Sequence, residues 1–392
     1  MDELQSREGW RLLEVGREIA LETEAPLFRG IYQVTVLELK KDAVLVSLPS
    51  RDGHLVFLPV GLSVRIILSH NGEQTIFNGM VCSRQTGERR SLTLSWKEPA
   101  AFNEREEPEE HPDYEPAIPV WAVTSGKGGV GKTTAVVNFA LALAERGRRV
   151  CIIDADLGTA NVDVVLNLTP RYTLAEVISG RKHILEALVE GPGGIIILPG
   201  GSGLQELTQL RDSDFQRLLA QFRELESFTD IILIDTSSGL SKSVTNFIAA
   251  AQMGILITTP EPPAITDAYA LIKVLARAGH IVPIKLVINR AKTATEAENT
   301  MEKIVFAAKK FLHYELTPLG FISDDEYVEK AVREQVALIK QYPRCKAAQD
   351  FYRLAALLDN SPKEKKDDKQ QPGGIRGFLK RFKDMVRKEK DD

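Results

Sequence analysis

Cysteine is scarce in this 392-residue chain, and Cys82, Cys151 and Cys345 lie far apart with no C-x-x-C pair. That spacing argues against a disulfide framework or a thiolate metal cluster and fits a reducing compartment. Long apolar runs are lacking too. No stretch reaches the roughly eighteen apolar residues that a spanning helix needs, and Met1 to Glu8 has neither the basic nor the apolar region of a secretory signal. A cytoplasmic protein is expected. Nor is charge of one sign in large excess: a net charge of −4 gives no global reason to expect specific nucleic-acid binding. What is present is an ordinary globular composition, 43% hydrophobic and 27% charged, long enough for two or three domains.

From about Val15 to Trp96 the chain reads as short alternating runs, Tyr32–Leu39, Ala43–Leu48, Leu62–Leu68, Thr75–Cys82 and Ser91–Trp96. Turn residues such as His70-Asn-Gly72 punctuate them, and no helical pattern intervenes, so residues 1–100 are expected to form a small β-barrel. Residues 101–118 change character: glutamates at 104, 106, 107, 109, 110 and 115 and prolines at 108, 112 and 116 predict an extended acidic linker. From 119 to 359, apolar β-like runs alternate with helical ones, at Val120–Val123, Val150–Ile153, Ile195–Leu198, Ile231–Ile234, Gly254–Thr258, Ile284–Ile288 and Leu319–Ile322. Such Val/Ile/Leu runs suit strands buried on both faces, and the alternation predicts an α/β, doubly wound, mostly parallel sheet. A polar linker (360–373) and an amphipathic helix (374–390) follow.

The chemistry gathers at the carboxyl ends of these strands. Ser125-Gly-Lys-Gly-Gly-Val-Gly-Lys-Thr-Thr134 follows an apolar run and opens a helical pattern over 133–145. Its glycines let the backbone N–H groups of Gly128, Gly129, Val130 and Gly131 curl around phosphate. Lys132 adds charge for the outer phosphates, Thr133 stands where a P-loop places the Mg²⁺-ligating hydroxyl, and Thr134 continues the helix start. After the second run come Asp154 and Asp156, two carboxylates one residue apart, and Asn161. The fourth run ends in Asp235, the Walker B arrangement that holds Mg²⁺ through water. Asn289 follows another strand and can bond an adenine edge, or serve as a turn residue.

A second lysine, Lys127, at the front of the loop makes Lys-Gly-Gly-Val-Gly-Lys-Thr resemble the deviant P-loop of the MinD/ParA ATPases. The resemblance implies ATP and Mg²⁺ as ligands and a homodimer formed with ATP, Lys127 crossing to the partner's nucleotide. It also implies that Asp156 orients the hydrolytic water, that Asp154 supports the metal shell with Thr133 and Asp235, and that Asn161 lies near the phosphates. Capping of the next helix is the other reading of Asp154. Glu190-Gly-Pro-Gly-Gly-Ile195 with Leu198-Pro-Gly-Gly-Ser-Gly-Leu204, and the segment Thr258–Leu271, look like the FlhG (FleN) subgroup that controls flagellar number and placement. Thr236-Ser-Ser-Gly239 departs from the family, which more often has proline or alanine before the glycine. The D-Q-A-x-x-L-R-type activator of the partner GTPase FlhF is not found in Met1–Leu13, which puts GTPase activation in doubt.

Residues 16–96 resemble the N-terminal domain of the YcgR flagellar-brake proteins, through Tyr32-Gln-Val34, Val44–Pro49, Gly61 with Val64, and Phe77–Val81. The R-x-x-x-R and D-x-S-x-x-G motifs of the cyclic di-GMP-binding domain that follows in that family are missing. Arg84, Arg89 and Arg90 are accordingly expected to be solvated. Rival readings are a division-site MinD, a DNA-binding ParA-type partition ATPase, and a cyclic di-GMP module with a degenerate ATPase. In the tail, Ile375, Phe378, Leu379, Phe382, Met385 and Val386 form one stripe among Arg376, Lys380, Arg381, Lys383 and Arg387. A basic amphipathic helix behind a polar tether suits an anionic inner-membrane surface, and core packing is the alternative. The expectation is peripheral association with the cytoplasmic membrane face, with a flagellar partner such as an FlhF-like GTPase or a motor or switch component.

Overall fold

The computed structural model describes residues 13–24, 28–40, 43–51, 54–55, 58, 62–70, 73–85, 91–96, 118–156, 162–200, 211–226, 229–360 and 374–391. Two compact units divide the chain, Met1–Tyr114 and Glu115–Asp392.

The first unit is all β: β1 (Glu18–Thr23), β2 (Gly30–Leu39), β3 (Ala43–Ser47), β4 (Ser50–Arg51), β5 (His54–Leu55), β6 (Ser63–His70), β7 (Glu73–Gln85) and β8 (Ser91–Ser95). Six of these close antiparallel in the order β1-β2-β3-β8-β7-β6, while β4 and β5 pair apart. Closure removes the open edges that a small sheet would otherwise expose. Alternation places Ile19, Leu21, Tyr32, Val34, Ile66 and Leu94 inside. The five expected runs are all strands, and β1 is an addition, because glutamates at 18 and 22 dilute the inward pair Ile19 and Leu21. Of the three arginines expected to be solvated, Arg89, Arg90 and the Arg84 side chain lie outside what the structure describes.

In the second unit the strands are β9 (Val120–Thr124), β10 (Val150–Ala155), β11 (Val189–Glu190), β12 (Ile196–Leu198), β13 (Ile231–Thr236), β14 (Met253–Thr258), β15 (Ile284–Ala291) and β16 (Leu316–Ser323). They form one sheet, β11-β12-β10-β13-β9-β14-β15-β16, parallel except for the two-residue edge strand β11. The longer helices are α1 (Lys132–Glu145), α2 (Asp212–Glu226), α3 (Lys242–Ala250), α4 (Pro262–Arg277), α5 (Ala294–Leu312), α6 (Glu326–Arg333), α7 (Lys346–Asp359) and α8 (Gly374–Asp391). The chain moves outward from β9 to β10 and β12, then returns through β13 and steps over β9 to β14, β15 and β16. Crossovers that run in both directions from β9 make the carboxyl ends of β10, β13 and β9 the switch point. All residues of β9, β10, β13 and β14 are buried. Helix α1 packs between sheet and α7, with Phe139 edge-on to Phe351 at 5.3 Å.

The tail helix corrects one expectation. Rather than standing clear of the core, α8 lies on α2 and α3, with Ile375, Phe378, Leu379 and Phe382 buried. Phe247 of α3 stacks on Phe382 at 4.4 Å and Phe378 at 6.2 Å. Glu226 Oε1 accepts the Ile375 N–H at 2.9 Å, one of the donors a helix start leaves unpaired. Arg381 donates to the Ala250 carbonyl at the end of α3, and the Lys383 ammonium sits 4.0 Å from the Phe215 ring centroid. Arg376, Lys380 and Arg387 face outward. The amphipathic pattern was read correctly, but its apolar face is satisfied by protein. Each of the four buried side chains contributes about 1.5–3 kcal/mol before the cost of ordering the helix.

Candidate nucleotide site

Residues 125–131 turn from β9 into α1, and two glycines show why the loop needs its composition. A Cβ on Gly126 would lie 2.3 Å from the Asp267 backbone carbonyl of α4, and Gly131, at φ +90°, would bring one to 2.5 Å from Asn289 Nδ2. The loop is thus pressed between α4 and the end of β15, directly before the start of α1.

Lys132 and Asp235 are both buried and form an ion pair across the loop and the end of β13. Burial pushes the Asp235 carboxyl pKa up, and the Lys132 charge pulls the other way. Its Oδ2 has no hydrogen-bond partner among the described residues. A buried carboxylate oxygen left over beside a lysine and a threonine hydroxyl is a fitting donor set for a hard cation and its water. The residues therefore fit a Mg²⁺–nucleotide.

Ladder register brings the next carboxylates alongside, since Asp154 pairs with Asp235 and Ala155 with Thr236. Asp154 uses Oδ1 to accept the Asp156 N–H at 3.0 Å and Oδ2 to accept the Val162 N–H at 3.3 Å, so it shapes the loop after β10. Asp156 accepts the Ser237 hydroxyl at 2.9 Å. Asn161 lies outside the described residues.

Beside the loop is an open cavity of about 610 Å³, lined by Gly131, Thr134, Pro260, Asn289, Arg290 and Asp324 among others. That volume is in the range of small-molecule sites. Asn289 is locked in place: Nδ2 donates to the Val130 carbonyl at 2.7 Å, and Oδ1 accepts the Arg290 N–H at 2.9 Å. Thr259, whose buried hydroxyl has no partner among the described residues, lines the same cavity.

Lys127 stands at the lip, 41% exposed, with its ammonium 3.6 Å from Glu261, itself 61% exposed. Such a pair is worth little in water, so the lysine can exchange Glu261 for another anion at small cost. Sequence reading passed over Ser237, Glu261 and Thr259. Ser237 lies in the Thr236–Gly239 stretch that departs from the family, and Thr259 and Glu261 lie in the subgroup segment Thr258–Leu271, but none had a role assigned.

Comparison with known proteins fits this geometry. The CobQ/CobB/MinD/ParA nucleotide binding domain matches residues 121–339, more than half of the chain. The chain belongs to the MinD/ParA family. Its P-loop unit is accordingly that of an ATPase. Antiactivator FleN of Pseudomonas aeruginosa is 42% identical over 265 residues, 68% of this chain and 92% of FleN. The flagellum site-determining protein YlxH of Helicobacter pylori is 32% identical over 273 residues, 67% and 88% of the two chains. Among solved structures, the MinC:MinD cell division protein complex of Aquifex aeolicus superimposes with a TM-score of 0.50 at 26% identity, covering 62% of this chain and 96% of that one. The flagellar protein YcgR family matches residues 14–96, the barrel.

Proposed function

We propose that this MinD/ParA ATPase is a nucleotide-controlled switch that sets flagellar number or placement from the cytoplasmic face of the membrane. The likeness to FleN and YlxH supports the flagellar setting, and the barrel's likeness to YcgR supports an adaptor for a motor or switch component. In this reading Gly128–Thr134 cradle ATP, with Lys132 on the outer phosphates. Thr133 and Asp235, backed by Asp154, hold Mg²⁺, which neutralises phosphate charge. Asn289 meets the base, and Lys127 leaves Glu261 to reach the nucleotide of a second copy. Asp156 orients a water whose oxygen bonds to the γ-phosphorus as the bridging bond to ADP breaks, the water's proton passing to phosphate and solvent.

The observation that carries the proposal is the seat of the tail. Helix α8 packs on α3, and α3 starts at Lys242, only a short loop beyond Asp235. A change in that loop on ATP binding therefore acts directly on the surface that covers Phe378 and Phe382. Freed, the stripe and its basic flanks suit an anionic bilayer, and two tails on one dimer gain about a hundredfold or more in effective concentration.

Anionic vesicles are expected to sediment the protein with ATP and much less with ADP, and Phe378→Glu or deletion after Gly373 is expected to abolish sedimentation. Equal sedimentation in both nucleotides would refute the switch. Phe247→Ala removes the ring under Phe378 and Phe382. It is expected to raise amide hydrogen exchange across 374–391 and to increase vesicle binding without ATP several-fold; unchanged exchange would mean that the stack does not hold the tail.

A further inference from the structure

We infer that Ser237 is a positioning residue that sets the rotamer of the Asp156 carboxylate, and with it the hydrolysis rate of this ATPase. The inference rests on the proposed role of Asp156 as the group that orients the attacking water.

The contact follows from the sheet. Strands β10 and β13 run parallel in register, Asp154 opposite Asp235 and Ala155 opposite Thr236, so the next residues out, Asp156 and Ser237, emerge side by side. Ser237 Oγ donates to Asp156 Oδ1 at 2.9 Å, between residues 81 apart in sequence. On the other side, the Asp156 backbone N–H is held by Asp154 Oδ1. Backbone and side chain of Asp156 are thus fixed by two different strand ends.

Ser237 is itself anchored. The Thr236 hydroxyl donates to the Val123 and Ser237 carbonyls, both at 3.0 Å, and the Gly239 N–H donates to the Ser125 carbonyl at 2.9 Å. The loop after β13 is thereby tied to β9 and the start of the phosphate loop. A hydroxyl on so fixed a loop gives Asp156 Oδ1 a donor at a set place, which favours the χ1 and χ2 that keep this hydrogen bond. Fixing the orienting carboxylate is worth rate because a water misplaced by an ångström loses much of its reactivity.

The test is single-turnover phosphate release by the full chain with MgATP, alongside calorimetric ATP affinity and light-scattering dimerisation. Ser237→Ala is expected to slow release about tenfold, leaving ATP affinity and ATP-dependent dimerisation within about twofold. Ser237→Thr, which keeps the hydroxyl, is expected to stay within about twofold of the parent. In an Asp156→Ala background, Ser237→Ala should cause no further loss, because the residue it positions is gone. Parental release by Ser237→Ala, equal slowing by Ser237→Thr, or additive slowing in the Asp156→Ala background overturns the inference. Parental release by Asp156→Ala alone is a separate result: it refutes the role given to Asp156.

Discussion

Lys132→Ala is expected to lose MgATP binding by at least about a hundredfold and to destabilise the empty protein as well. The first effect follows from losing a charge-assisted contact to phosphate, about 1.5–3 kcal/mol for each such bond. The second follows from the buried ion pair, since the variant leaves Asp235 in the core without its cation. Stranding one member of a buried pair typically costs about 3–5 kcal/mol. The sign of the pH dependence is fixed by the direction of the Asp235 pKa, which burial already raises. A carboxyl whose folded pKa lies above its unfolded value binds more protons in the folded state, so its contribution is favourable at acid pH and is lost as pH rises through the folded pKa. The variant's deficit should therefore be smallest at acid pH and grow above the ordinary carboxylate range. Adding Asp235→Asn should restore thermal stability at neutral pH and leave binding lost. Lys127→Ala, by contrast, disturbs only an exposed pair and should bind ATP while dimerising poorly. Calorimetry and thermal unfolding check the set, and MgATP binding by Lys132→Ala within tenfold of the parent would overturn it.

The strands and the phosphate loop were legible because their signals are local. Four glycines, Lys132 and Thr133 occupy one short stretch, and Ile231–Asp235 is a run that can only be buried before a carboxylate. Strand β11 was not legible, since Val189 and Glu190 alone carry no period. Strand β1 left a faint trace in Ile19, Leu21 and Thr23, weakened by the glutamates between them. The tail fails differently. Spacing establishes that Phe378 and Phe382 share a face, but lipid and a groove rich in phenylalanine are equally apolar to that face. What decides is Phe247, more than a hundred residues away, together with Glu226 and the Ala250 carbonyl placed to meet Ile375 and Arg381. Ser237 is the same kind of case, a common residue whose partner is fixed only by the register of β10 on β13.

Asp156→Ala is expected to leave ATP binding and ATP-dependent dimerisation intact and to slow hydrolysis by about a hundredfold or more, in line with the loss of one positioned acid–base group. Asp156 is only partly buried and stands one strand away from the Lys132–Asp235 pair, so removing its carboxylate is expected to leave the phosphate cradle as it was. Its backbone N–H still reaches Asp154, and the loop after β10 should keep its course. The variant then accumulates in the ATP state. If that state frees α8 from α3, Asp156→Ala with ATP should sediment with anionic vesicles as fully as the parent and remain bound after the parent has hydrolysed its ATP and dissociated. Time courses of phosphate release and vesicle sedimentation on the same samples check both halves. Parental turnover would make Asp156 structural only. Slow turnover with parental release from vesicles would separate hydrolysis from tail docking and send the search for the coupling elsewhere than the loop between Asp235 and α3.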